Sequence, residues 1–429
     1  MWYLWFVEWW LRQLINPMCS VLLLAPHNSY RIHAYLEAAQ HLGVELLIAS
    51  QSRYSLVSAV AKGIQVDFSD AALSLRKIQA AHLQYQFKAV IATDDAAVAL
   101  AAIVAEALGL SANAPDSAIL TQRKDLARRR LQEHRLPIPD FRVIDLSSAI
   151  VEQLLGLEYP VVVKPVSMSG SRGVIRANDQ QQCLAAINRI KPLLQELPSF
   201  DERQSILIEG FIAGEEVAFE GLLHQGKLRQ LTIFDKPEPM EGPFFEESFY
   251  ISPTRHSTER QQLIQQRVSE ACAAYGLREG PVHAELKLYG DQAYLIEMAS
   301  RTIGGDCAGV LKFGLNVSLE ELVLLQALGK PIDIPLMTDS VGVLMIPIPR
   351  QGILRRVEGI ERAKKIEGIA SIGISVREGY ELVPLPEGSS YLGFIFAKAS
   401  NQSQVEQALR SAHACLKIVT AATIKVHQL

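Results

Sequence analysis

Val21-Leu-Leu-Leu-Ala25 is a short, unbroken apolar run followed by a polar loop, Pro26–Ser29, and a stretch of helical character from Tyr30 to Leu42. Gly43 ends that helix and Val44–Ser50 predicts a second strand. The pattern recurs at Ala89-Val-Ile-Ala92, which runs into Thr93-Asp94-Asp95 and then an Ala-rich helix up to Gly109. Such alternation predicts a small parallel sheet with helices on its faces. After Asn113-Ala-Pro115 a helix starts with Thr121 as its N-cap, passes Lys124 and Arg128–Arg130, and stops before Pro137 and Pro139. Strands are predicted at Phe141–Ile144, Val161–Lys164, Ile206–Glu209, Glu216–Leu223 and Leu228–Asp235. Beyond Pro335 the pattern becomes strands at Val341–Ile346, Ser371–Val376 and Leu392–Ala399 with helices between and after them, an α+β arrangement.

With 429 residues, the chain has room for about three domains at roughly 150 residues each. The pattern divides it at 18–115, 116–335 and 336–429. Residues 1–17 hold all four tryptophans, but the run is interrupted by Glu8 and Arg12 and falls short of the roughly 20 apolar residues that span a bilayer. It is taken as an extension outside the first domain, with no membrane role. An apolar content of 49% excludes a disordered chain, and a net charge of −4 argues against a dedicated nucleic-acid binder. Five scattered cysteines without a C-x-x-C pair argue against a disulfide framework or zinc ribbon, so the cytoplasm is the expected compartment.

Three segments could carry chemistry. Val161-Val-Val-Lys164-Pro leads into Ser167-Met-Ser169-Gly170-Ser171-Arg-Gly173, a loop whose glycines would let backbone N–H groups approach phosphate oxygens while Lys164 supplies charge. Neither a Walker A motif nor a G-x-G-x-x-G is present, and an ordinary Gly/Ser hairpin would read the same way. Ile206-Leu-Ile-Glu209-Gly-Phe211-Ile212-Ala-Gly-Glu-Glu216 could offer backbone groups to a base and a carboxylate to ribose, or simply expose solvated acids. In Gly280-Pro-Val-His283-Ala-Glu285 through Glu297-Met-Ala299-Ser-Arg301, the turn at Gly290-Asp291 joins two alternating strands. Leu286, Leu288, Tyr294, Ile296 and Met298 are assigned to the apolar face. A three-residue turn, Gly290–Gln292, places Glu285 opposite Glu297, two like charges about 5 Å apart that a hard divalent cation would relieve. A two-residue turn would split them between faces, and Lys287 could instead neutralise a surface pair.

These segments, in this order, resemble an ATP-grasp carboxylate–amine ligase of the L-amino-acid-ligase and carnosine-synthase-like branch. The resemblance implies an α/β and α+β fold class: a Rossmann-like pre-ATP-grasp domain (18–115), a two-subdomain ATP-grasp fold (116–335, its lid at about 121–210) and a small α+β C-terminal domain (336–429). It implies ATP and Mg²⁺ or Mn²⁺ as cofactors. Lys124 and Lys164 match the nucleotide lysines, with Ser169, Gly170, Ser171 and Gly173 in the phosphate-covering loop. Glu209, Phe211 and Ile212 match the adenine segment and Glu216 the ribose position. Glu285 and Glu297 match the metal carboxylates, and Arg301 the arginine that faces the phosphate and the substrate carboxylate. Ala299 departs from the family's Glu-x-Asn, since alanine cannot ligate.

The chemistry so implied is activation of a carboxylate as an acyl phosphate, then its capture by an amine to form an amide. Glu246 or Glu247, in the aromatic and acidic stretch Phe234–Tyr250, could receive a substrate ammonium, and His283 could make a polar contact; solvated acids and a structural histidine are the plainer readings. A nucleotide or cofactor precursor as substrate, or a non-catalytic ATP-binding protein, are the alternatives. The expected partners are small-molecule carboxylates and amines, not nucleic acid or membrane, and a homodimer is left open.

Overall fold

The computed structural model describes residues 20–27, 29–51, 62–335 and 337–422; the Trp-rich segment 1–17 lies outside the described residues. The chain divides into two compact units, Met1–Ala118 with Ser318–Asp333 and Ile119–Val317 with Ile334–Leu429.

In the first unit, strands β1 (Ser20–Leu24), β2 (Glu45–Ser50), β3 (Gly63–Gln65) and β4 (Ala89–Ala92) form a parallel sheet in the order β3-β2-β1-β4. Central β1 is buried along its whole length, which is why it reads as continuous rather than alternating apolar residues. Residues 318–333 belong here, not with the segment that precedes them in sequence. Their helix, Leu319–Ala327, buries Leu319, Leu322 and Val323 and packs on helix Ile32–Leu42 and β4.

The second unit begins with helix Lys124–Glu133. Its N-cap position is Arg123, without a side-chain cap, rather than Thr121. The Thr121 hydroxyl lies 3.0 Å from that of Ser300 instead. Strands β5 (Phe141–Asp145), β6 (Val161–Pro165), β7 (Ile175–Ala177) and β8 (Ser205–Gly210) form an antiparallel sheet ordered β5-β8-β6-β7. Val161, Val163, Ile206 and Ile208 pack on Cys183, Ile187 and Ile190 of helix Gln180–Leu194, making a small separate core.

The remaining strands are β9 (Glu215–His224), β10 (Lys227–Lys236), β11 (Phe249–Ser252), β12 (Gly280–Tyr289), β13 (Gln292–Ala299), β14 (Ser340–Ile346), β15 (Gly352–Glu358), β16 (Ile369–Ile374), β17 (Glu381–Leu382), β18 (Gly393–Ala399) and β19 (Lys417–Ala421). Eight of them form one sheet, β13-β12-β9-β10-β11-β14-β18-β16. The α+β pattern after Pro335 is present, but β14, β18 and β16 extend the central sheet by pairing β14 with β11, which covers an edge that would otherwise be open. Only β15, β17 and β19 form a sheet apart. Helix Thr258–Tyr275, capped by Ser257 and ended by Gly276 at φ 76°, covers one face of the central sheet. Val217, Phe219, Ile233, Leu286 and Leu295 point into that core with Ile264 and Val268.

Candidate functional site

The alternation that sends Val217 and Phe219 into the core sends their neighbours to the other face. Across the register, Lys287, Glu216 and Lys236 form one row there and Glu297, Glu285, Ala218 and Phe234 the next. A third holds Ala299, His283, Glu220 and Thr232. Charged residues thus share one face of a sheet whose other face is apolar.

Glu285 does stand opposite Glu297, but by a different route from the one expected. The turn is two residues long, because Tyr289 pairs with Gln292. The register then shifts between Glu285 and Leu286, so that Leu286 faces Leu295 while Glu285 faces Glu297. The extra residue on β13 is Ile296, a bulge that turns the strand by one position. This corrects the face assignment as well: Leu295 is in the core, and Ile296 lines the cleft.

The cleft is lined by Lys124, Lys164, Ser171, Glu209, Phe211, Ile212, Glu216, Glu247, Glu285 and Glu297 among others. One end is apolar, with Val162, Met240 and Phe245 clustered and Val174 and Phe211 packed against them. The Arg176 guanidinium lies 4.1 Å from the centre of the Phe211 ring. The N–H groups of Gly210 and Phe211 donate to the carbonyls of Asp140 and Pro160.

Next to it is a buried ion-pair triad. Lys164 Nζ and Arg128 Nε each lie 2.6 Å from a Glu209 carboxylate oxygen. Burial would raise the Glu209 carboxyl, but the two cations outweigh it and hold the group at about 2. Arg128 also donates to the Ile296 carbonyl, the bulged residue. Arg128 is 2% exposed, so it is no solvated surface arginine. It sits one turn after Lys124 on the same helix face, an i,i+4 relation that could have marked it from sequence.

At the other end, Lys124 Nζ donates to the Met168 carbonyl at 2.7 Å and to Glu297 at 3.0 Å. Among the described residues, Glu216, Glu247 and Glu285 bring one carboxylate oxygen each within 4.8 Å of one another. Lys236 neutralises them, with Nζ 2.7 Å from Glu216, 3.5 Å from Glu285 and in contact with Glu247. Burial and the charge of Glu285 push the Glu247 carboxyl up to about 7; Tyr250 donates to it at 2.7 Å. His283 lies between Glu220 (3.1 Å) and Glu285 (3.5 Å). Burial opposes its charge, but the two carboxylates raise it to about 9. The same register that pairs Lys236 with Glu216 could have flagged Lys236, which no motif singled out. Oxygen-only donors at this spacing suit a hard divalent cation, so the residues present fit such an ion.

Gly170, Ser171 and Gly173 all have left-handed φ, of 65°, 54° and 71°, and a Cβ on Gly173 would lie 2.7 Å from Pro165. Ser169 accepts from the Arg172 N–H through its carbonyl. Glu246 is half-buried, its carboxyl raised by burial. Arg301 follows β13, its Nη1 donating to the Thr302 carbonyl at 3.0 Å.

Three family models match successive parts of the chain: an ATP-grasp N-terminal domain over 36–111, an ATP-grasp domain over 157–310, and an L-amino acid ligase C-terminal domain 2 over 344–421. The chain is therefore an ATP-grasp protein, with the α/β and α+β fold expected of one. Its C-terminal part places it among the ATP-grasp ligases of L-amino acid ligase type. The crystal structure of an L-amino acid ligase from Bacillus licheniformis superposes with a TM-score of 0.79, at 26% identity, over 95% of this chain and 100% of that one. Dapdiamide A synthase of Enterobacter agglomerans is 26% identical over 52% of this chain and 52% of its own length. Human carnosine synthase 1 is 28% identical over 49% of this chain but 27% of its own. Among the described residues, no helix is long and apolar enough to cross a membrane.

Proposed function

We propose that this chain joins a carboxylate to an amine at the expense of ATP, with amino acids as substrates. The observation that carries this reading is one cleft in which Lys124 and Lys164 face Glu216, Glu247, Glu285 and Glu297 beside an apolar slot. In this assignment Val162, Met240, Phe211 and Phe245 bracket the base. Lys124 and Lys164 neutralise the triphosphate, and the Ser169–Gly173 loop covers it. Glu285 and Glu297, with Glu216 beside them, hold Mg²⁺ or Mn²⁺, which when bound offsets phosphate charge. Glu216 therefore serves the cation rather than the ribose. Arg301 faces the substrate carboxylate.

The chain's own work is positioning and charge neutralisation, and closing out water while an acyl phosphate waits for the amine. Glu247 is already committed to Lys236 and Tyr250, so Glu246 is the better acceptor for a substrate ammonium, and His283 supports Glu285 rather than the substrate. The similarity to named amino-acid ligases supports this substrate class. The test is ADP release over mixtures of L-amino acids, with amide products identified by mass. Amine-dependent ADP release is expected; none, from protein that binds Mg·ATP, would overturn the ligase reading.

A further inference from the structure

The cleft's covering loop is held from outside the ATP-grasp segment. Arg172, in that loop, donates from Nε to the carbonyl of Glu387 at 2.8 Å. The neighbouring Gly173 N–H donates to the Pro386 carbonyl, also at 2.8 Å. Both acceptors lie between β17 and β18, more than two hundred residues later in the chain. The Glu387 carboxylate is itself fixed by Arg189, on the helix behind β6 and β7, with Nε and Nη2 at 2.6 and 3.0 Å. The remaining Arg172 nitrogens form a bidentate pair with Glu196 at 2.6 Å each.

We infer that Glu387, through Arg189, Arg172 and its own backbone, is a positioning residue that sets the closure of the Ser169–Gly173 loop. The inference rests on that loop covering the nucleotide, as proposed above. The geometry separates it from mere surface decoration. The Arg172–Glu196 pair lies within one lobe and could form with the loop in many places. The two backbone acceptors at 386 and 387 are different, because they fix the last two residues of the loop against a second chain segment. Arg189 and Glu387 are each partly exposed, at 46% and 38%, so their pair adds little to global stability. A device that is cheap to break but spans two segments regulates opening rather than folding.

The test is a charge-swap series, Glu387→Arg, Arg189→Glu and the two together, with hydrogen exchange read at the Gly173 amide in nucleotide-free protein. Each single change sets like charges against each other and should speed exchange at Gly173 by about tenfold, with the double variant returning to within about threefold of wild type. Melting temperature should stay within about 3 °C throughout. With substrates, the single variants should dissociate a fluorescent ADP analogue faster and release more ADP per amide formed, because an open loop admits water. Unchanged Gly173 exchange in both single variants overturns the inference, as does a double variant no better than the singles. If the wild-type protein binds no ADP analogue, the nucleotide reading fails while the exchange experiment still decides whether the tether exists.

Discussion

Arg128→Met tests the buried triad, because it removes one of the two cations that hold Glu209. Glu209 is 2% exposed, and the methionine keeps most of the apolar contact made by the arginine stem. Two considerations set the scale of the cost. Breaking a buried pair by removing one partner costs about 3–5 kcal/mol. The Glu209 carboxyl, held at about 2 against an ordinary 4.5, represents about 3 kcal/mol at 1.36 kcal/mol per unit, shared between Arg128 and Lys164 and net of burial. Urea unfolding should therefore show a loss of about 3 kcal/mol. Glu209→Gln alone leaves Arg128 and Lys164 facing each other without an anion and should cost a similar amount. The double variant removes one charge of each sign, so its loss should fall short of the sum by about 1–3 kcal/mol. A functional consequence separates this from simple packing. With Arg128 gone, Glu209 is matched by Lys164 alone, and less positive charge remains for phosphates, so ATP affinity should drop about tenfold. Arg128→Met within about 0.5 kcal/mol of wild type, or strict additivity in the double variant, would refute the triad.

Glu297→Gln should abolish ADP release while leaving the circular dichroism spectrum and melting temperature near wild type, since Lys124 keeps an oxygen acceptor at 297; wild-type turnover would remove Glu297 from the cation site. Because the Glu209 carboxyl is depressed in the folded state, its contribution is fully present above the ordinary 4.5 and is lost as pH falls towards about 2. Urea unfolding measured from pH 5 down to about 3 should therefore show a steeper decline for wild type than for Glu209→Gln; parallel declines would exclude Glu209 as the source. Gly214→Ala should cost more than about 3 kcal/mol, because Gly214 has φ 112° and a Cβ there would lie 2.2 Å from the Leu288 carbonyl oxygen. A loss under 0.5 kcal/mol in chemical unfolding would mean the β9–β12 edge relaxes freely, at roughly the level of a surface substitution.

What could be read from the sequence was whatever short-range pattern controls. Buried parallel β1 is apolar from Val21 to Leu24, and β6 carries Lys164 next to its end before a glycine-bearing loop, so both were legible. The Glu285–Glu297 pairing was also anticipated, but through a turn that does not occur. A bulge adds one residue without leaving a pattern in alternation, because Leu295 and Ile296 are both apolar and either could face the core. The role of Arg128 was not legible, because an arginine's charge says nothing about its burial until a partner 81 positions away is brought to it. The return of residues 318–333 to the first unit was invisible for the same reason: a helix with an apolar face does not name the surface it will cover.

The charge arithmetic was silent about the site because the site balances itself. Lys124 is matched by Glu297, and Lys164 with Arg128 by Glu209. Lys236 is matched by Glu216, Glu247 and Glu285, and Lys287 adds to Glu216. Each of these pairs gives up hydration, and buried pairs seldom repay that cost in stability alone. Their arrangement follows from a different requirement. A cleft built to take a polyanion together with a cation must present both signs, and with neither bound those signs neutralise each other. On the proposed roles, Lys124 leaves Glu297 for phosphate while Glu297 turns to the cation, so binding is an exchange of partners rather than the filling of bare charges. On the same proposed roles, the loop above the site, tethered through Arg172 and Gly173 to residues 386 and 387, is the element whose closure would complete the exchange.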